Sequence, residues 1–405
     1  MTNAIEKKLI LVVDDAPANL QVVRSILKDD FMIRIATSGA KALDLVKAKP
    51  QPDLILLDVE MPEMDGYEVC GILKATPETR DIPVIFLTGK TETDDETKGF
   101  EVGAVDYIHK PFSPAVVKAR VHTHLVLREA REQLARQLLF INNELEMARE
   151  IQLSILPQVI PRIKGLEITA RYLPMSSVAG DFYDFIVADE KHVGILVADV
   201  SGHGLAAALI ASMLQVALAA QCAHASDPAR VLAGLHEALR GKFQHHYVTA
   251  VYVFVDMEKK CMSYAGAGHP PLLLWRASTE SASELVENGL PLGLLPHATY
   301  SVGQIQVEPG DKAVLYTDGI VETESPAKQE FGIDLFKGFL QSNHILRADR
   351  FADSLLDELS NWSEHPKGQG QRDDITFLTI DFTATTEESV PEEKVGAFAN
   401  IPESL

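Results

Sequence analysis

The chain has 405 residues, 46% hydrophobic and 23% charged, with a formal net charge of −21. That length accommodates two or three domains with ample core. The acidic balance lacks the clustered Lys and Arg that phosphate contacts require, which argues against direct nucleic-acid binding. Three widely separated cysteines (Cys70, Cys222, Cys261) form no metal-ligand pattern and suit a reducing, cytoplasmic setting. No signal-peptide pattern opens the chain, and no stretch reaches the roughly 18 apolar residues of a membrane span, so no membrane association is expected.

Residues 1–113 alternate strand and helix patterns. Apolar runs at 9–13, 33–36, 54–57, 84–87 and 106–108 read as buried strands, with helices near 19–27, 41–46, 67–73 and 96–101. This alternation predicts an α/β fold, a flavodoxin-like doubly wound sheet of five parallel strands whose ligands sit at strand carboxyl ends. The polar residues fall where that rule needs them. Asp14 and Asp15 follow the first strand, Asp58 ends the third, Thr88 ends the fourth and Lys110 follows the fifth. Three carboxylates around one point call for a divalent cation, and an all-oxygen set suits Mg²⁺. Asp58 is then placed to attack a phosphoryl donor, with Lys110 neutralising the acyl phosphate and Thr88 hydrogen-bonding it.

The segments LVVDD, LLDVEMPEMDG, VIFLTGK and YIHKPF resemble the response-regulator receiver family, over essentially all of residues 7–125 of a receiver domain set at 1–125. The resemblance implies that Asp58 is phosphorylated by a histidine kinase. It also implies that Asp15 and the carbonyl of Glu60 help hold Mg²⁺, and that Thr88 and Tyr107 switch on phosphorylation. The Lys110-Pro111 bond is expected to be cis.

Residues 114–156 read as one long helix, part of a linker set at 114–157. Leu127, Leu134, Ile141, Ala148 and Ile155 recur every seven residues, and Leu138 and Leu145 follow Leu134 and Ile141 by four. Such a stripe suits a coiled-coil seam and a homodimer. Polar Arg131 and Gln152 occupy the two remaining seam positions, and the alternative is a helix packed on its own domain. Pro157 ends it.

A second domain is set at 158–383. Strand signals lie at 166–172, 192–200, 248–255, 261–265, 272–275, 302–307, 312–316 and 374–382; helices are expected at 206–220, 228–242, 333–340 and 350–362. Strands with paired helices suggest an α/β/β/α sandwich. Acids stand out at Asp181, Asp199, Asp318 and Asp373-Asp374, three of them close to glycines, including Gly202 and Gly204 after Asp199. Glycine lets backbone approach a ligand closely. Acids with no Cys or His partner set suggest hard cations, Mg²⁺ or Mn²⁺, and two such metals can clamp a phosphoryl group and activate water.

The segments ELEMAREIQLSILP, VAGDFYDF, VADVSGHG, LYTDGIVE and RDDIT resemble the PPM-type metal-dependent serine/threonine phosphatases of the SpoIIE/RsbU subfamily, over roughly residues 145–383. The resemblance implies two metals held by Asp181, Asp199, the carbonyl of Val200, Asp318 and Asp373, with Asp199 bridging. Asp184 and Asp374 are supporting candidates. His203 and His269 read as structural, and His245 and His246 as surface or packing residues. The implied activity is one-step hydrolysis of a phosphoserine or phosphothreonine on an anti-sigma-factor antagonist, a STAS-domain protein, under control of Asp58. The competing expectation is a catalytically silent adaptor that binds a sigma factor or anti-sigma partner. Residues 384–405 are polar and acidic and are expected to be a disordered tail.

Overall fold

The computed structural model describes residues 7–89, 99–243, 246–366 and 371–384. The chain divides into two compact units, Met1–Ile141 and Asn142–Leu405. Most of the expected helix at 96–101, His245, and all of the expected tail beyond residue 384 lie outside the described residues.

In the N-terminal unit, β1 (Leu9–Val13), β2 (Met32–Ala36), β3 (Leu54–Asp58), β4 (Val84–Thr88) and β5 (Asp106–His109) form a parallel sheet in the order β2-β1-β3-β4-β5. The crossovers include α1 (Pro17–Leu27), α2 (Gly39–Lys47) and α3 (Gly66–Ala75). The continuous apolar runs of β1, β3 and β4 are buried at every position, as a sheet covered on both faces requires. Alternate side chains feed two cores: Leu11, Val13, Leu57 and Phe86 on one face, Ile10, Val12, Leu56 and Ile85 on the other. Helix α3 starts on a capping box, in which Asp65 accepts from the Glu68 amide and the Glu68 side chain accepts from the Asp65 amide.

A single helix, α4, runs from Pro114 to Ile155. Val117, Val121 and Leu125, spaced by four, pack into the N-terminal unit's second core. Beyond them, the seam residues Leu127, Leu134, Leu138 and Ile141 are each more than half exposed.

The C-terminal unit contains two sheets. The first takes β7 (Phe182–Asp189), β8 (His192–Val200), β9 (Val248–Asp256), β10 (Cys261–Ala267) and β13 (Asn288–Gly289) in the order β13-β10-β9-β8-β7, with β14 (Gly303–Gln306) also paired to β10. The second takes β6 (Leu166–Leu173), β11 (Leu272–Arg276), β12 (Ser281–Leu285), β15 (Lys312–Tyr316) and β16 (Ile375–Phe382) in the order β12-β11-β15-β16-β6. Helices α5 (Leu205–Ala219) and α6 (Pro228–Leu239) share a core with the first sheet. Helices α7 (Gly332–Asn343) and α8 (Ala348–Ser363) cover the second. The α/β/β/α sandwich is therefore present. Strands β7, β12 and β13 lie where no strand was expected. No helix among the described residues is long and apolar enough to cross a membrane.

Candidate phosphoacceptor and metal sites

The first site lies at the carboxyl end of the parallel sheet. Asp14, Asp15 and Asp58 each offer a carboxylate oxygen within 4.8 Å of the others. Lys110 donates from Nζ to Asp14 Oδ2 at 3.0 Å and to Asp58 Oδ2 at 2.9 Å, and both acceptors are buried. Asn19, which sequence reasoning passed over, donates its amide to both Asp14 oxygens at 3.0 Å. Burial pushes the Asp58 carboxyl up to about 6, opposed by the Lys110 hydrogen bond and reinforced by the Asp14 charge. Gly66 is required beside it, because a Cβ there would collide with the Asp58 carbonyl oxygen. Thr88 is buried at the end of β4, and its carbonyl accepts from the Lys110 amide at 2.8 Å. Tyr107 is buried, its ring centroid 5.6 Å from Phe86 and 5.2 Å from Phe100. Glu60 is exposed beyond β3, and the Lys110-Pro111 bond is cis.

The second site lies in the C-terminal unit, where the ends of β8 and β15 and the starts of β7 and β16 converge. Asp181 is buried and accepts from Thr317 Oγ1 at 2.8 Å. Thr317 in turn accepts from the Thr376 amide at 3.0 Å, so one hydroxyl joins the acid to two strand ends. Burial, followed by the charges of Asp199 and Asp374, holds the Asp181 carboxyl well above the usual carboxylate range. Asp199 is pushed up to about 8 by burial and by the charges of Asp318, Asp373 and Asp374. Asp318 is raised by burial and by Asp373. Asp199 is thus the electrostatic neighbour of Asp181 on one side and of Asp318 and Asp373 on the other, with Asp374 beside them. Asp14, Asp15 and Asp58 are the only group of three within 4.8 Å among the described residues.

Asp374 has a different task. Its two carboxylate oxygens accept from the Met175 and Gly180 amides, both at 2.7 Å, which pins the loop that carries Asp181. Gly319 is forced by the same loop, since a Cβ there would collide with the Asp374 carbonyl. A Cβ on Gly180 would sit 2.8 Å from the Val200 carbonyl oxygen, so that glycine is what lets the Asp181 loop reach the end of β8. Gly202 and Gly204 take φ of +88° and +81°, the left-handed turn that carries the chain from Asp199 into α5.

Asp184 is not brought to the cluster: its Oδ1 accepts from the Phe185 amide, and its carboxyl is raised by burial alone. His203 is exposed. His246 donates from Nδ1 to the Ser201 carbonyl at 2.7 Å and so braces the loop after Asp199, a role its sequence neighbours did not signal. His269 is buried, its Nδ1 2.8 Å from Thr249 Oγ1, and Thr249 is the cross-strand partner of Asp199. Burial depresses His269 to about 3, so it is neutral. Glu322 was also missed. It lies one turn beyond Asp318, whose carbonyl accepts from its amide at 2.9 Å, and burial with the charges of Asp318 and Asp373 raises its carboxyl. The sequence signal was present in LYTDGIVE.

Residues 10–122 match the family described as response regulator receiver domain, and residues 189–383 match stage II sporulation protein E (SpoIIE). The chain thus joins a segment that matches the receiver-domain family to a segment that matches the SpoIIE family. Over 243 residues it is 28% identical to phosphoserine phosphatase RsbP of Bacillus subtilis, covering 59% of this chain and 57% of that one. Over 135 residues it is 47% identical to a probable cyclic di-GMP phosphodiesterase of Vibrio cholerae, covering 33% of this chain and 30% of that one. The chain therefore spans less than two thirds of either relative. Among solved structures, the SiaA-PP2C domain of Pseudomonas aeruginosa is similar with a TM-score of 0.54 and 26% identity, covering 61% of this chain and 99% of that one.

Metal dependence is a property of the PP2C family, and Mg²⁺ binding one of receiver domains. The residues here fit both. The receiver trio is an all-oxygen set around one point. In the second set Asp181 is buried and Asp199, Asp318 and Asp373 are partly buried, and no Lys or Arg among the described residues pairs with any of the four. Such a set requires cations for all its members to ionise.

Proposed function

We propose that this chain is a two-component response regulator whose output is a metal-dependent protein serine/threonine phosphatase. The observation that carries the reading is the convergence of Asp181, Asp199, Asp318 and Asp373 in a site with no internal cation, on a domain similar to phosphoserine phosphatase RsbP. In this reading Asp181, Asp199, Asp318, Asp373 and the Val200 carbonyl would hold two Mn²⁺ or Mg²⁺ ions, which when bound would supply charge neutralisation at the phosphoryl group and activation of a water. The protein's own work is to hold the acids in place. Thr317 orients Asp181, Asp374 pins the loop before it, and Gly180 lets that loop come close to the Val200 carbonyl.

In the receiver domain, Asp58 takes the phosphoryl group from a histidine kinase, with Mg²⁺ on Asp14, Asp15 and the Glu60 carbonyl. A carboxylate oxygen of Asp58 bonds to phosphorus as the phosphorus–nitrogen bond of the donor breaks, and the imidazole leaves. Lys110 neutralises the new acyl phosphate, while Thr88 and Tyr107 report it. Helix α4 carries the signal, and its exposed seam supports a homodimer through the linker. The substrate is a phosphorylated STAS-domain anti-sigma-factor antagonist of the cytoplasm. The domain boundaries in this reading are 1–125, 114–157 and 158–383.

The test is phosphate release from a phosphoserine STAS protein by the full chain. Mn²⁺ should support release and EDTA abolish it. Asp199→Ala should lower the rate by about 10³-fold or more, the scale at which loss of transition-state charge stabilisation registers. Release that persists in EDTA or in Asp199→Ala would overturn the assignment.

A further inference from the structure

Gln152 breaks the apolar seam of α4 at a position where a coiled coil places a hydrophobe. It is buried, at 5% exposure. Its side chain makes both bonds an amide can make with one peptide neighbour: Nε2 donates to the Ala179 carbonyl at 2.6 Å, and Oε1 accepts from the Ala179 amide at 3.0 Å. A buried amide satisfied on both sides holds its partner in one place, because breaking either bond strands a buried polar group.

What it holds is the loop into the acid site. Ala179 precedes Gly180, whose amide is donated to Asp374 and whose Cα packs against the Val200 carbonyl, and Asp181 follows directly. A second tie lies one turn further along α4. The Ile155 carbonyl accepts from Gln215 Nε2 at 2.9 Å, and Gln215 sits on α5, the helix that begins after the glycine turn beyond Asp199. The end of α4 is therefore bonded to the loop that leads into Asp181 and to the helix that follows the turn after Asp199.

We propose that Gln152 is a positioning residue. Through Ala179 it sets the placement of Asp181 relative to the end of β8, and a displacement of α4 reaches the metal-binding acids through this clamp. The inference rests on the acid site's being a metal site, and it deepens that reading by naming the contact through which the helix acts.

The test is calorimetric titration of the full chain with Mn²⁺, taking as phosphatase-site binding the component that Asp199→Ala removes. Gln152→Met keeps the side chain's length but loses both bonds. Gln152→Glu keeps the acceptor and loses the donor. Each should weaken that component by about tenfold, the scale seen when a group supporting a metal ligand is lost. Gln158→Ala, which removes bonds to the Leu153 and Leu156 carbonyls at the same helix end without touching Ala179, should leave it unchanged. Circular dichroism establishes that the variants are folded, and should Gln152→Met fail to fold, Gln152→Glu decides. A folded Gln152 variant with wild-type affinity would overturn the inference, as would a Gln158→Ala loss of equal size. Absence of any Asp199-dependent component in the wild type is a different result and would overturn the metal-site reading itself.

Discussion

The two acid sites of this chain solve one electrostatic problem in opposite ways. In the receiver domain, Lys110 reaches two buried carboxylates at 3.0 and 2.9 Å and supplies part of the compensating charge from within. In the C-terminal unit, Asp181, Asp199 and Asp318 are all held above the ordinary carboxylate range, by burial first and by neighbouring acids second. The difference suits the two roles. A phosphoacceptor must present a nucleophile and then tolerate extra negative charge, which a resident ammonium supports. A hydrolytic site that takes up metals leaves room for their charge.

The contrast can be broken at either end. Removing the resident cation should do the larger damage. Lys110→Met leaves Asp14 and Asp58 facing each other in a buried site, and partial exposure of the lysine limits the loss to about 2 kcal/mol of receiver stability. Urea unfolding of the full chain followed by a receiver-domain probe measures it, and an unchanged midpoint would show that Lys110 is not the compensating charge. The smaller effect concerns protons at the phosphatase site. With Asp199 pushed up to about 8 in the metal-free protein, the folded site keeps a proton that the unfolded chain has released at any pH above the usual carboxylate range. Metal-free stability drawn from this group is therefore lost as pH rises towards 8, while Mn²⁺ affinity rises because the competing proton leaves. Between pH 6.5 and 7.5 the phosphatase-site affinity should increase by up to about tenfold. A flat profile would mean that Asp199 is already ionised without metal.

Most of the sheet architecture could be read from the sequence, for reasons visible in particular strands. β1, β3 and β4 are unbroken apolar runs, and β8 and β15 begin and end in the structure where their composition said they would. β7 escaped because Asp181 and Asp184 flank its first two aromatics and its outer end, from Val187 to Asp189, is exposed, so no regular buried period shows. β12, Ser281–Leu285, is a mostly exposed polar edge strand whose pairing with β11 no local preference announces. The candidate acids could be picked out because each stands beside a glycine or a strand end. Their supports could not. Asn19, Thr317, Asp374's two amide bonds and the Gln152–Ala179 clamp join residues far apart in the chain, and only the fold brings them together. Gln152 shows this most directly. By heptad position it reads as a flaw in the seam, whereas in three dimensions it is a buried hydrogen-bonding side chain next to the site. Asp184, a supporting candidate in VAGDFYDF, accepts instead from the Phe185 amide of its own strand.

The central claim is that the state of Asp58 governs the phosphatase. Phosphate release from a phosphoserine STAS protein by the full chain in Mn²⁺, with and without beryllofluoride, compared between wild type and Asp58→Asn, tests it most directly. The account predicts that beryllofluoride changes the wild-type rate and leaves the Asp58→Asn rate where it was. Equal wild-type rates with and without beryllofluoride, at saturation of the receiver site, would contradict it.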